Sequence, residues 1–425
     1  MPVSALPQTT VRLDVAFYDE AERQKLLRQY PAAGAAMQRL VEQGVEMPTA
    51  EFLTYYLFHR KRLGTPGYRD YATIGHKLDV ALAALDECLD FNGRSVCTPA
   101  GVRHQLNEVS EHVGEAVGLA VASRIHDLTE ADWSPIAEQR GRGAAPSFDF
   151  QIASDGQAFI QVETKGSSVT NNRVADATIA EQKRKITEKK EKLAVLAKQG
   201  KDPNPAGIRY GTVTAVDPRR DGNIKCWLVD PPPDRIEDTP KRFRLLQRMR
   251  FLRNWIAFVS PRSQLASALS TRLGDLESLR DPFELDSVPL RRGTGEPFEF
   301  VPFGARGRHS TFLANKSRIT DGPAGGVVLQ LSPHALFLVG FREDLLVIAS
   351  KQSFEQVANF RTEAGSLAKI VECVFSHSRF DKLQLPTSIR SQATQFGGHV
   401  GFRLQGQMHY SSSGLVFGIL PLPNS

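Results

Sequence analysis

The sequence predicts an α/β protein. A helix, a mixed sheet and a second helix form a core, flanked by a helical N-terminal region and a C-terminal α+β domain. Three observations predict it. Two apolar-rich segments, 147–152 and 158–166, are split by Ser154-Asp155-Gly156, and Asp-Gly between such runs signals a hairpin. Helical periodicity brackets that hairpin on both sides. Asp230-Pro231-Pro232-Pro233 then breaks the chain. At 425 residues the protein is too long for one core, and three regions are expected: 1–95, 96–235 and 236–425.

In chain order, Glu20–Val45, Ala50–Leu63 and Ile74–Leu89 carry helical periodicity, so the N-terminal region reads as helical. Tyr55, Tyr56, Phe58 and His59 beside Arg60-Lys61-Arg62 suit either a packed core or an aromatic-basic nucleic-acid surface. Thr98-Pro99 is a helix start, and Val102, Leu106, Val109, Val113, Val117 and Ala120 continue it to about Leu128. A strand is expected near 133–138, then the hairpin, then a helix from Asp176 to Lys198. Strands follow at Tyr210–Val216 and Ile224–Val229. Beyond the prolines come a basic helix, a Gly- and Pro-rich stretch over 281–325, and strands at Gly326–Leu331, Ala335–Phe341 and Leu345–Ser350. A helix at Phe354–Phe375 and strands at Val400–Leu404 and Gly414–Leu420 close the chain. No known family is evident in this last region.

The hairpin carries the chemistry. Asp149 starts its first strand, and Glu163 and Lys165 end its second. Residues two apart on a strand share a face, so Glu163 and Lys165 point together and the turn brings Asp149 level with them. Two carboxylates are hard oxygen ligands for Mg²⁺, with Mn²⁺ as a substitute. A lysine beside them suits a water or the charge developing on a phosphate. Other Glu-x-Lys triplets, at Glu181–Lys183 and Glu188–Lys190, fall in a charged helix and read as a solvated face.

This arrangement resembles the PD-(D/E)XK nuclease superfamily, whose signature is a strand Asp, a hairpin and a (Asp/Glu)-x-Lys on the next strand. The resemblance covers roughly residues 99–230. The family's proline usually adjoins the Asp, whereas here the nearest is Pro146. The resemblance implies a restriction-endonuclease-like core in which Asp149, Glu163 and Lys165 are catalytic and Asp149 and Glu163 hold Mg²⁺. It implies further that Glu115 or Glu111, from the first helix, completes the metal shell. Gln182, on the second helix, takes the place of a polar residue that some members turn toward the site. The expected function is a metal-dependent nuclease acting on DNA, by analogy in anti-phage defence or restriction. The alternative is a catalytically silent module of that fold that binds nucleic acid or a partner protein.

Charge supports a polyanionic partner. The net charge is only +6, but it is concentrated. Residues 181–201 hold eight Lys or Arg against three Glu, and 240–253 hold Lys241, Arg242, Arg244, Arg248, Arg250 and Arg253 with no acid. Lys241, Arg244 and Arg248 share an outer helix face by spacing, and with Lys183 and Gln182 are the expected nucleic-acid contacts. A homo-oligomer or a defence-system partner protein is also expected. No stretch resembles a signal peptide or a membrane span. Cys88, Cys97, Cys226 and Cys373 show no zinc spacing and fit a reducing cytoplasm. His334, His377, His399 and His409 are scattered and read as structural or surface residues.

Overall fold

The computed structural model describes residues 10–59, 71–92, 95–97, 107–135, 150–169, 172–173, 176–200, 206–216, 224–229, 239–259, 264–279, 281–286, 310–314 and 324–422. The protein is mixed α/β, with one mixed sheet, one curled antiparallel sheet and a small two-stranded sheet among the described residues. It divides into two compact units: residues 10–60 with 84–247, and residues 1–9 and 61–83 with 248–425.

The first unit is built on a seven-stranded sheet. Its elements are β1 (Thr10–Phe17), α1 (Glu20–Gln29), α2 (Pro31–Gln43), β2 (Val45–Pro48), α3 (Thr49–Thr54) and a π-helical turn at Tyr55–His59. After α4 (Tyr71–Cys88), whose last residues belong here, come β3 (Asp90–Asn92), β4 (Ser95–Cys97), α5 (Asn107–His126) and β5 (Ser134–Pro135). Then follow β6 (Phe150–Ser154), β7 (Phe159–Ser168), α6 (Ala177–Lys198), β8 (Ile208–Val216), β9 (Ile224–Val229) and α7 (Pro240–Val259), within which the division falls. The strand order is β2-β1-β9-β8-β7-β6-β5. Pairing is parallel for β1–β9 and β7–β8 and antiparallel elsewhere.

The N-terminal region is therefore not purely helical. Val11, Leu13 and Val15 are buried, with Arg12 exposed between the first two. That is the period of a strand, and β1 takes its place beside β9. The expected long helix over 20–45 breaks at Tyr30-Pro31, where proline opens α2 at its first turn. Tyr55 to Phe58 are all buried, so this cluster is core and not a nucleic-acid surface. Residues 60–62 and the helix start at Thr98-Pro99 lie outside the described residues.

Helix α5 lies on one face of the mixed sheet at very short range. A Cβ on Gly114 would sit 2.3 Å from Gly166 Cα, and one on Gly118 would sit 2.3 Å from Thr212 Oγ1. At Gly114 backbone meets backbone, and at Gly118 the side chains of Thr212 and Thr164 fill the space a Cβ would need, so glycine stands at both crossings. Helix α6 covers the other face, where Ile179 and Ile186 pack with Val213, Ala215, Trp227 and Val229. As the crossover between parallel strands β7 and β8, α6 runs antiparallel to both.

The second unit contains α8 (Gln264–Ser278), a 3₁₀ turn at Pro282–Asp286, β10 (Ser310–Ala314), β11 (Ala324–Ser332), β12 (Ala335–Arg342), α9 (Glu343–Ser350) and α10 (Phe354–Asn359). It ends with β13 (Gly365–Ser376), α11 (His377–Phe380), α12 (Thr387–Gln392), β14 (Thr394–Phe396), β15 (His399–Tyr410) and β16 (Leu415–Pro421). The antiparallel sheet runs β13-β10-β11-β12-β16-β15-β14, and β13 also pairs with β15 along twelve residues. Six strands thus close on themselves. The ring encloses Val371, Cys373, Phe375, Phe402, Met408, Val416 and Leu420.

Two expectations in this unit are corrected. Leu345–Ser350 is helical, not a strand: short apolar runs are ambiguous, and Glu343 and Asp344 supply the negative charge that a helix start favours. The stretch Phe354–Phe375 is helical only to Asn359. Its second half is β13, in which Val371, Cys373 and Phe375 point inward at strand period. Among the described residues no helix is long and apolar enough to cross a membrane.

Two predictions follow from packing and burial. Gly114→Ala should cost about 1–3 kcal/mol or more by overpacking. Gly274→Ala, on α8 with nothing within 4 Å of the added carbon, should stabilise by up to about 1 kcal/mol; paired urea titrations decide both. The second concerns pH. Burial drives the imidazoles of His126 and His409 down from 6.5 to about 4. The unfolded chain then binds more protons, so stability is full above the unfolded value and falls as pH drops from 6.5 toward 4. Each histidine should cost about 2 kcal/mol between pH 7 and pH 5. Unfolding titrations at both values should show His126→Gln losing less stability over that interval than the wild type.

Candidate functional site

The hairpin forms as the sequence predicts. Its turn is closed by Asp155, whose Oδ1 accepts from the backbone N–H of Gln157 and Ala158 at 2.7 Å each, while Gly156 takes a φ of 92°. Strand β6 then pairs with β7 so that Phe150 lies opposite Glu163 and Gln151 opposite Val162. Asp149, one residue earlier, lies outside the described residues.

Strand β7 divides its side chains between the two faces of the sheet. Thr164 meets Gly118 of α5. Gln161, Glu163, Lys165 and Ser167 therefore face the other way, toward α6, and all four are engaged there. Gln161 Oε1 accepts from Arg209 Nε at 2.8 Å, and Ser167 Oγ accepts from Gln182 Nε2 at 3.2 Å. Glu163 is fully buried. Its Oε1 lies 3.0 Å from Lys165 Nζ and 2.8 Å from Lys189 Nζ of α6. A stripe of polar groups thus runs along a buried face where apolar side chains would cost less to desolvate.

Glu163 Oε2 is buried and has no hydrogen-bond partner. A buried carboxylate oxygen without a donor is costly, and it is also a hard ligand of the kind Mg²⁺ or Mn²⁺ takes. In this respect Glu163 fits a divalent cation. Among the described residues no three His, Cys, Asp or Glu side chains come together to hold a metal. Glu163 supplies one ligand.

The glutamates expected from the first helix are not brought to Glu163. Glu115 Oε1 accepts from Gln151 Nε2 at 2.9 Å and lies 3.7 Å from His59 Nε2. Gln151 Oε1 is in turn 2.9 Å from His59 Nε2. This trio, with His59 and Gln151 buried and Glu115 partly so, is on the α5 side of the sheet, opposite the face of Glu163 and Lys165. Glu111 lies on the exposed side of α5. Spacing within one helix cannot show which face of the sheet that helix covers, nor how deep each of its glutamates is buried.

The expected phosphate contacts are largely committed elsewhere. Lys183 pairs with the buried Glu22 of α1 at 3.2 Å and stands over the Tyr18 ring at 5.0 Å. Arg244 donates to the carbonyl of Asp155 at 2.7 Å and lies 3.6 Å from Asp132. Arg248, only 4 % exposed, donates to the carbonyls of Val357 and Phe360 at 3.3 and 2.5 Å. Of the three basic residues assigned to one outer face of this helix, only Lys241 is exposed. The arginines had partners far away in sequence, which helix spacing cannot show.

Sequence spacing gives Lys189 no role beyond the charge of a basic helix, solvated or facing phosphate. A signal was present. The apolar points of α6 are Ile179, Ile186 and Leu193, and Lys189 and Lys190 fall between the last two on the same stripe. Lys190 is fully buried and donates to the carbonyl of Arg209 at 2.9 Å. Compared with family models, characterised proteins and solved structures, the chain gives no match.

Arg248 supplies a prediction. Arg248→Gln should destabilise the second unit by about 1.5–3 kcal/mol, the range for hydrogen bonds from a charged donor. Lys241→Gln should leave stability within about 0.5 kcal/mol. Unfolding titrations that show no loss for Arg248→Gln would return this arginine to the surface.

Proposed function

We propose that the protein is a metal-dependent nuclease that hydrolyses DNA phosphodiester bonds through a PD-(D/E)XK-type site on a restriction-endonuclease-like core. One observation carries the reading: at the end of a hairpin, Glu163 and Lys165 share a buried sheet face, 3.0 Å apart, and the second carboxylate oxygen of Glu163 has no partner. Surface charge gives no such placement, because a fully buried carboxylate is retained at a cost in desolvation.

In this reading Glu163 and Asp149 would hold Mg²⁺, which when bound would supply Lewis acidity and lower the pKa of a coordinated water. Lys165 Nζ, two residues along the same strand, orients the attacking water and offsets the negative charge that builds on the phosphate oxygens. Gln182, fixed on Ser167, closes the same stripe on its far side. The ion pairing of Glu163 with two lysines favours a second reading, a silent module of this fold that binds without cutting.

One experiment separates the two. Plasmid, duplex and single-stranded oligonucleotides are incubated with Mg²⁺, Mn²⁺ or EDTA. Cleavage should require the metal and should fall by about a hundredfold or more in Asp149→Asn, Glu163→Gln and Lys165→Met. Wild-type rates from Glu163→Gln would sink the nuclease reading, and tight metal-independent binding without any cleavage would favour the module.

A further inference from the structure

Lys189 does not come from the motif strand, yet its Nζ is closer to Glu163 Oε1 than that of Lys165, at 2.8 against 3.0 Å. The two lysines differ in how they are held. Lys165 is on the same strand as Glu163, two residues along, and its side chain is 16 % exposed. Lys189 reaches in from α6, a separate element, with its side chain 24 % exposed. An ammonium and a divalent cation compete for the same carboxylate, because each raises the potential the other must enter. Of the two, Lys189 is the more exposed and comes from a separate element, which makes it the one better placed to exchange.

We propose that Lys189 is a positioning residue of this site: its ammonium on Glu163 Oε1 opposes by its charge the divalent metal that would enter at Oε2, and it yields when a phosphate polyanion takes it. This rests on the nuclease reading of Glu163. It makes metal loading depend on nucleic acid. A phosphate that engages Lys189 frees the carboxylate for the cation, and by thermodynamic reciprocity the cation then strengthens binding of the phosphate. Lys165 stays paired through the exchange and retains its role toward the water.

The test reads metal affinity rather than cleavage. Mn²⁺ binding to DNA-free protein is followed by electron paramagnetic resonance for wild type, Lys189→Met, Lys189→Arg and Glu163→Gln. Lys189→Met should bind Mn²⁺ about fivefold or more tightly, Lys189→Arg should stay near wild type, and Glu163→Gln should lose binding. A phosphorothioate duplex that resists cleavage should tighten Mn²⁺ binding to wild type and do so much less for Lys189→Met. Lys189→Gln, equally neutral, is read in the same way if the methionine variant loses its circular dichroism spectrum. Unchanged or weaker Mn²⁺ binding by the neutral variants, with Glu163→Gln still losing it, overturns the role of Lys189 and leaves the nuclease reading standing. Wild-type Mn²⁺ affinity in Glu163→Gln overturns both.

Discussion

Everything distinctive about the first unit depends on how β7 shares its side chains between two helices. Its even positions, Val162, Thr164 and Gly166, are small or apolar, and α5 settles on them so closely that glycine is needed on both sides of the contact. Its odd positions, Gln161, Glu163, Lys165 and Ser167, are polar and are roofed by α6. A strand has only two faces. Once α5 has taken the even one, any chemistry of Glu163 and Lys165 must be completed from α6, β6 or the segment before β6. That is why Glu115 finds Gln151 and His59 instead of Glu163, and why Lys189 has access to the carboxylate.

The arrangement is expensive to maintain. Taking Glu163, Lys190 and Arg209 out of water costs several kcal/mol per ion before partners repay it, and apolar residues of similar volume often do as well or better. Lys190 and Arg209 are repaid by a carbonyl and by Gln161. Glu163 is repaid on one oxygen only. A carboxylate kept buried with half of its acceptor capacity unused contributes little to folding. It is better explained by a ligand that uses the remaining oxygen than by stability.

What could be read from the sequence follows from the range of the forces involved. The hairpin, α6 and β9 were legible because their signals are local: an Asx turn at Asp155, a capping Asp176 that accepts from Thr178 N–H at 2.9 Å, and a strand that is apolar but for Lys225. β1 was equally local and was missed, because a helical reading of the region passed over the alternation of Val11, Leu13 and Val15. Leu345–Ser350 and the stretch now in β13 failed for a different reason. Their apolar runs fit either period, and tertiary pairing decides between them. At the site, Glu163 and Lys165 share a face by strand geometry alone. The side of the sheet they face is set by Gly114 and Gly118, more than forty residues earlier, and no spacing rule reaches that far.

The same limit governs charge. An acid-free basic helix suggests a grip on phosphate, but a guanidinium with five donors is also the most effective cap for stray carbonyls. Arg244 and Arg248 are used in that way, and on α6 Arg184 is spent on Glu181 and Glu188. Charge used internally releases no counterions when DNA arrives, so it adds nothing to the salt dependence of binding. The composition therefore overstates the phosphate contacts that these two helices can make. If DNA is the substrate, a larger share of the short-range attraction has to come from cations that also serve the chemistry. Lys165 and Lys189, both leaning on one carboxylate, are placed for that double duty. Affinity and metal occupancy at such a site would then rise and fall together.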